Sequence, residues 1–246
     1  MSLSELSTTD LVIVALAAVL IGFAKTAVAG AGSLSVANFA AVLPARESTG
    51  ALLPLLIFGD VLAVATYRRS ADWSTLVRLA GPVVVGVVAG AGFVAVSDDT
   101  VMRRTIGVVL LVLVAIRLAV ARWRPERRPQ GRLTRWTYGW LSGFTTMVAN
   151  AAGPVMSLYL LGSRLDKLAF LGTMAWFFAA VNLFKLPFSI GLGLVTGPSL
   201  LLNLALTPAV VVGAVVGWRV VRHLDQRTFE RIVLALSVVS AANLLR

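Results

Sequence analysis

Apolar runs recur along the chain at roughly 11–29, 33–43, 50–66, 75–96, 105–121, 136–149, 153–162, 168–187, 198–217 and 229–245. Most are long enough for an α-helix, rising about 1.5 Å per residue, to cross a hydrocarbon core of about 30 Å. The runs 33–43 and 153–162 are too short, and each follows a glycine-containing break. The pattern predicts an all-α polytopic membrane protein containing two broken helical hairpins, 11–43 and 136–162. Each hairpin leaves on the side it entered, either re-entrant or as two tilted helices.

The two breaks are near-copies. Gly22-Phe23-Ala24-Lys25-Thr26-Ala27-Val28-Ala29-Gly30-Ala31-Gly32 aligns without a gap with Gly143-Phe144-Thr145-Thr146-Met147-Val148-Ala149-Asn150-Ala151-Ala152-Gly153. Beyond them the likeness continues more weakly: Arg46 aligns with Lys167 and, with one residue inserted, Gly50 with Gly172 and Asp60 with Asn182. Polar, glycine-broken segments in hydrocarbon are costly, so a duplicated one marks a candidate substrate site.

Charge placement predicts the orientation. Taking the arginine-rich loop 122–135 as cytoplasmic puts fifteen of the 22 basic residues inside when 136–162 is a hairpin. Reading 136–162 as one crossing would expel Arg219, Arg222, Arg227 and Arg231, against the positive-inside bias. Both termini are then extracytoplasmic. The expected organisation is an N-terminal repeat, 1–121, a linker, 122–135, and a C-terminal repeat, 136–246, each repeat a hairpin plus three spans. An odd number of crossings per repeat turns the halves opposite ways, as in inverted-topology transporters.

Composition agrees with a life in lipid and narrows the chemistry. The chain is 58% hydrophobic and 13% charged, with mean hydropathy +0.89, against about 25% charged in soluble domains. The net charge of +11 sits in short clusters between apolar runs, which excludes a nucleic-acid partner. Cysteine is absent and the one histidine, His223, lies in a basic loop, so no metal site or cofactor is expected. No paired carboxylates or membrane histidine equip an intramembrane enzyme, and no phosphate-binding loop serves ATP-driven transport. The acidic, polar N-terminus lacks the basic start of a cleaved signal. A multi-pass protein of the plasma or inner membrane is expected, its apolar surfaces suited to lipid or to a second copy in a homodimer.

A helix restarting within the membrane offers unpaired N–H groups and the positive end of its dipole to an anion. Gly30, Gly32, Ser33, Asn150 and Gly153 lie at such starts, with Ser33 and Asn150 as N-cap types and Pro154 in a first turn. Thr26, Thr145, Thr146 and Asn150 add side-chain donors, and Lys25 adds charge. Asn182 and Lys185 share a helix face at i, i+3 spacing and join the candidate set. Asp60, deep in 50–66, must be neutral or paired with a cation such as Lys25, and is the candidate for gating or proton coupling. Against these stand plainer roles: close helix packing for the small residues, snorkelling for Lys25, Lys185 beside Pro187, and Arg117, and a structural ion pair for Asp60. Trp73, Trp123, Trp136 and Trp140 suit headgroup anchoring, and Trp176-Phe177-Phe178 suit packing.

These residues resemble the sulfite exporter TauE/SafE (TSUP) family of permeases over almost the whole chain. The likeness rests on Gly22-x-x-Lys25-Thr26, Pro44-x-Arg46-Glu47-Ser48-x-Gly50, Leu53-Pro54-Leu55, Gly59-Asp60 and Tyr67-Arg68-Arg69 in the first half. The second half adds Gly143-Phe144-Thr145-Thr146-Met147, Asn150-Ala151-Ala152-Gly153-Pro154, Trp176-Phe177-Phe178 and Asn182-x-x-Lys185-x-Pro187-Phe188. The resemblance implies export or import of small anions, typically sulfite, sulfonates or other sulfur-containing acids. The expected function is secondary transport of such an anion by alternating access, coupled to protons or to the anion gradient. The alternative is a passive anion channel of the same fold.

Overall fold

The computed structural model describes residues 7–27, 32–43, 45–98, 100–102, 104–105, 108, 131–163, 165–229 and 231–232, without the side chains of 33, 34, 37, 40, 41 and 45–47. Its longer helices among the described residues are α1 (Thr8–Thr26), α2 (Gly32–Val42), α3 (Ala45–Tyr67), α4 (Trp73–Val96), α5 (Arg132–Ala149), α6 (Ala152–Gly162), α7 (Lys167–Gly191) and α8 (Gly197–Arg222). No strand occurs among the described residues. The expected runs 105–121 and 229–245, Gly30, Arg117 and Trp123 lie wholly or almost wholly outside them.

The helix starts follow local chemistry. Ser7 caps α1 in a reciprocal box with Asp10, Asp72 caps α4, Asp166 caps α7, and Thr196 with Ser199 caps α8. Two ends run past their apolar stretches. α7 continues through Pro187 to Gly191, and α8 continues to Arg222. A proline costs one backbone hydrogen bond, which a helix surrounded by others tolerates.

Among the described residues, five helices or helix portions are long and apolar enough to cross a bilayer: Thr8–Thr26, Ser48–Tyr67, Trp73–Val96, Lys167–Gly191 and Gly197–Arg222. α2 and α6, at 11 residues each, reach only about 16 Å. The molecule is inverted relative to a soluble protein. Leu16, Val61, Val77, Leu201 and Leu204 are exposed on its outside, whereas Thr26, Asp60, Asn182 and Lys185 are buried within.

Glycines set the closest packing. A methyl group on Gly22 would overlap the carbonyl of Val210, and one on Gly213 would overlap that of Val19, so α1 and α8 lie backbone to backbone and run parallel. α4 and α5 do the same: Gly143 abuts the carbonyl of Val83, and Gly86 that of Trp140. Such approach is open only to residues without a side chain. α3 and α7 instead run antiparallel, with Gly50 against Leu194 at one end and Gly172 against Tyr67 to Ala71 at the other.

One end of the bundle gathers the basic residues. Lys167 Nζ donates to the carbonyls of Val221 (3.0 Å) and Leu224 (2.5 Å), and Trp176 Nε1 donates to the carbonyl of Arg68 (3.3 Å). These bonds join the C-terminal ends of α3 and α8 to the start of α7. Arg68, Arg69, Arg219 and Arg222 belong to that end. Trp176 also packs on Trp73, ring centroids 5.1 Å apart, in keeping with the packing role read for it.

Candidate functional site

α1 breaks where Lys25 and Thr26 occupy its last turn, followed by Ala27. Lys25 Nζ lies 2.5 Å from Asp60 Oδ1 of α3, an ion pair with side chains 9% and 1% exposed. The same ammonium sits 4.2 Å from the ring centroid of Phe178 on α7, a cation–π contact. Gly59 makes room for it, since a methyl there would come within 3.0 Å of Lys25 Cγ. Lys25 therefore turns inward to a carboxylate and a ring instead of snorkelling.

α5 ends differently. Asn150 closes it in the left-handed conformation (φ 50), which asparagine tolerates better than most side chains. Its N–H returns to the carbonyl of Thr146 (3.1 Å), and that of Ala151 to Thr145 (3.2 Å). Asn150 is thus the C-cap of α5, not the N-cap of α6 that its residue type suggested; Ala151 holds that position and makes no side-chain cap. Asn150 Nδ2 donates to the carbonyl of Thr49 (3.0 Å), and its Oδ1 accepts from Lys185 Nζ (2.5 Å).

Lys185 is 1% exposed, too deep to snorkel. Its Nζ also donates to the carbonyl of Thr146 (2.8 Å), with Thr146 Oγ1 at 3.5 Å. It therefore shares the Thr146 carbonyl with the Asn150 N–H in the last turn of α5, at the negative end of that helix. Three residues earlier on α7, Asn182 Nδ2 donates to Asp60 Oδ2 at 2.6 Å. Asp60 thus takes one donor from α1 and one from α7.

A cavity separates the two breaks. Lys25 and Gly32 line it from the first, Thr146, Asn150 and Gly153 from the second, and Asn182 from α7. Phe178, Met174 and Leu56 add an apolar wall. The space holds about two water molecules. Ala152 and Gly153 open α6 beside it, where first-turn N–H groups have no acceptor within the helix; Pro154 brings no N–H.

Not every candidate residue faces this space. Thr26 Oγ1 lies 2.8 Å from the carbonyl of Ala214 and 3.1 Å from that of Gly22, while the Thr26 carbonyl accepts from Tyr67 Oη at 2.7 Å. Thr26 thereby fastens α1 to α8 and α3. Thr145 Oγ1 donates within its own helix to Leu141 at 2.7 Å. Ser33 falls in the first turn of α2, its side chain undescribed. Phe178, Gly59 and Thr49 were not read as site residues; their roles arise from where α3 and α7 cross.

Apolar helices of membrane-crossing length, two short helices, and buried polar groups around one internal cavity define a multi-pass helical membrane protein. The chain belongs to the sulfite exporter TauE/SafE family, whose model matches residues 14–244, nearly its whole length. That family is one of membrane transporters, not enzymes. No curated protein and no solved structure matches the chain.

Proposed function

We propose that the chain is a secondary transporter of a small anion, held in the cavity between the two breaks and passed across by alternating access. Sulfite, a short organosulfonate or a related sulfur-containing acid is the substrate class that family membership favours. The observation that carries the reading is the charge around the cavity: two lysines, Lys25 and Lys185, stand against one carboxylate, Asp60. An anion can stand in for the carboxylate as partner of a buried ammonium, where an unpaired charge is costly. The donors of α6's first turn and the Thr146 hydroxyl complete a polar cradle, and the small volume suits a compact oxyanion.

Organisation as two inverted repeats, 1–121 and 136–246 joined by 122–135, accounts for the packing. The contacts between α1 and α8 recur between α5 and α4 residue for residue: positions 19, 22, 23 and 26 correspond to 140, 143, 144 and 147, and 210, 213, 214 and 217 to 83, 86, 87 and 90. α3 and α7 correspond likewise and cross antiparallel, with the aligned Asp60 and Asn182 in contact. Antiparallel crossing of equivalent helices is what a two-fold axis in the membrane plane produces. Clustering of Arg68, Arg69, Lys167, Arg219 and Arg222 at one end favours that end as cytoplasmic and both termini as extracytoplasmic.

Purified protein in liposomes tests the function. Saturable uptake of sulfite or a sulfonate, driven uphill by a pH or anion gradient, is expected. Large unitary currents would favour a passive channel instead. A thermal-shift screen of sulfite, sulfate, thiosulfate, sulfonates and carboxylates should find one stabilising anion whose effect disappears in Lys25→Ala; identical responses in both proteins would remove Lys25 from the site.

A further inference from the structure

We infer that Asn182 is an amide switch through which the protonation of Asp60 prepares the cavity for its anion, so that one proton binds with each singly charged anion. The inference rests on the anion site proposed above and adds its coupling. It starts from an unsatisfied atom: Asn182 is 1% exposed, and its amide oxygen has no hydrogen-bond partner. Its Nδ2 is engaged by Asp60 Oδ2, which leaves that oxygen as the unpaired end of a side chain that lines the cavity. A carbonyl oxygen repels an anion, and a buried, unpaired one costs stability.

The orientation follows from the ionic state of Asp60. An ionised carboxylate only accepts hydrogen bonds, so it can face only the NH2 group of the amide. With Asp60 ionised, Asn182 points its oxygen inward and Lys25 is held by the carboxylate. Both features exclude an anion. A proton from the aqueous phase placed on Asp60 Oδ2 reverses them. The carboxylic acid then donates to Asn182 Oδ1, the amide rotates, and its NH2 faces the cavity. Lys25 loses its counter-charge at the same moment and takes the anion in place of the carboxylate.

The exchange leaves the buried charge unchanged. Before it the site holds Lys25, Lys185 and an ionised Asp60; afterwards it holds the same two lysines, a neutral Asp60 and the anion. When the anion leaves, the proton leaves with it and the ion pair reforms. Exchanging one negative partner for another avoids stranding an ammonium in low dielectric. The charged groups facing Asp60 are Lys25 from α1 and Lys185 from α7. α2 carries no charged residue, and the basic residues of α8, Arg219 and Arg222, lie in its last turn.

The test uses methanesulfonate, whose own charge does not titrate, with purified full-length protein in detergent. Affinity is read by thermal shift or calorimetry across pH, and proton uptake by an indicator dye in weakly buffered solution. Wild type should take up one proton per anion at pH values where free Asp60 is ionised, its affinity falling about tenfold per pH unit there. Asp60→Asn, whose amide can donate to Asn182 permanently, should bind with no proton uptake and less than about a twofold change across the same range. Asn182→Ala should weaken binding strongly in acid and little in base, whereas a packing role would weaken it equally at every pH. Anion binding to wild type without proton uptake would overturn the coupling even if neither variant folds. Absence of anion binding at any pH would overturn the site itself, and the coupling with it.

Discussion

The two breaks are near-copies in sequence and differ in where the cation sits. At the first, the lysine belongs to the broken helix, and its counter-charge is a carboxylate on α3. At the second, the broken helix offers only carbonyls and an amide, and the amino group comes from α7. A carboxylate can be protonated and release its partner; a carbonyl cannot. In the mechanism proposed above, the first break is therefore the one that changes and the second the one that stays fixed.

The largest test concerns what the breaks have in common. Gly22→Val and Gly143→Val should each abolish folded protein in size-exclusion chromatography, because the new side chain has only a neighbouring backbone to move. If one is tolerated, the two pairings are not equivalent.

Charge removal should then separate the breaks. Asp60→Ala strands Lys25 in a buried site, a loss of about 3–5 kcal/mol, read as a fall in thermal midpoint. Lys185→Leu instead leaves the Asn150 amide oxygen without a donor, about 1–3 kcal/mol. The double variant Lys25→Met with Asp60→Asn should recover much of the stability lost in Asp60→Ala while taking up no anion. If Lys185→Leu is the more damaging change, the pairing at the first break is not the stronger constraint.

Smaller substitutions sharpen the contrast. Gly59→Ala presses on Lys25 Cγ at 3.0 Å, and the flexible lysine stem can yield. Fold should survive while anion affinity drops about threefold to tenfold, roughly 1 kcal/mol.

The helix caps give the smallest difference. α4 starts on a carboxylate, Asp72, and α8 on a hydroxyl, Thr196. Partial burial works to raise the pKa of Asp72, but hydrogen bonds from Thr75 and Ser74 outweigh it and hold the carboxyl below its usual range. A depressed folded-state pKa stabilises above the unfolded value and is lost as pH falls through the folded one. Asp72→Ala should thus cost about 1 kcal/mol near neutrality, a deficit that shrinks in acid. The deficit of Thr196→Ala should not change with pH.

Much of this was legible before any coordinates. Apolar run lengths marked the crossing helices, the short runs became α2 and α6, and the breaks fell where glycine and alanine interrupt them. A pairing of Asp60 with Lys25 followed from the cost of a lone carboxylate in hydrocarbon. What stayed hidden depends on helix rotation and on backbone partners. Thr26 and Thr145 read as donors, yet each hydroxyl meets a main-chain carbonyl, its own helix supplying one at i−4. Asn150 looked like a cap for the helix after it because residue type does not say which side of a break a side chain serves. Snorkelling stayed open for Lys185 because its acceptors, the Thr146 carbonyl and the Asn150 amide oxygen, lie on another helix. Gly86, Gly90, Gly213 and Gly217 carried no signal alone, since their meaning lies in the helix opposite.

The close approach of α1 to α8, and of α4 to α5, also limits how the molecule can move. Peptide groups in direct contact cannot slide past one another without collision, so each pair is expected to swing as one stiff lever. Any alternation of access would then turn on how the two pairs move about the crossing of α3 and α7, where Asp60 and Asn182 meet.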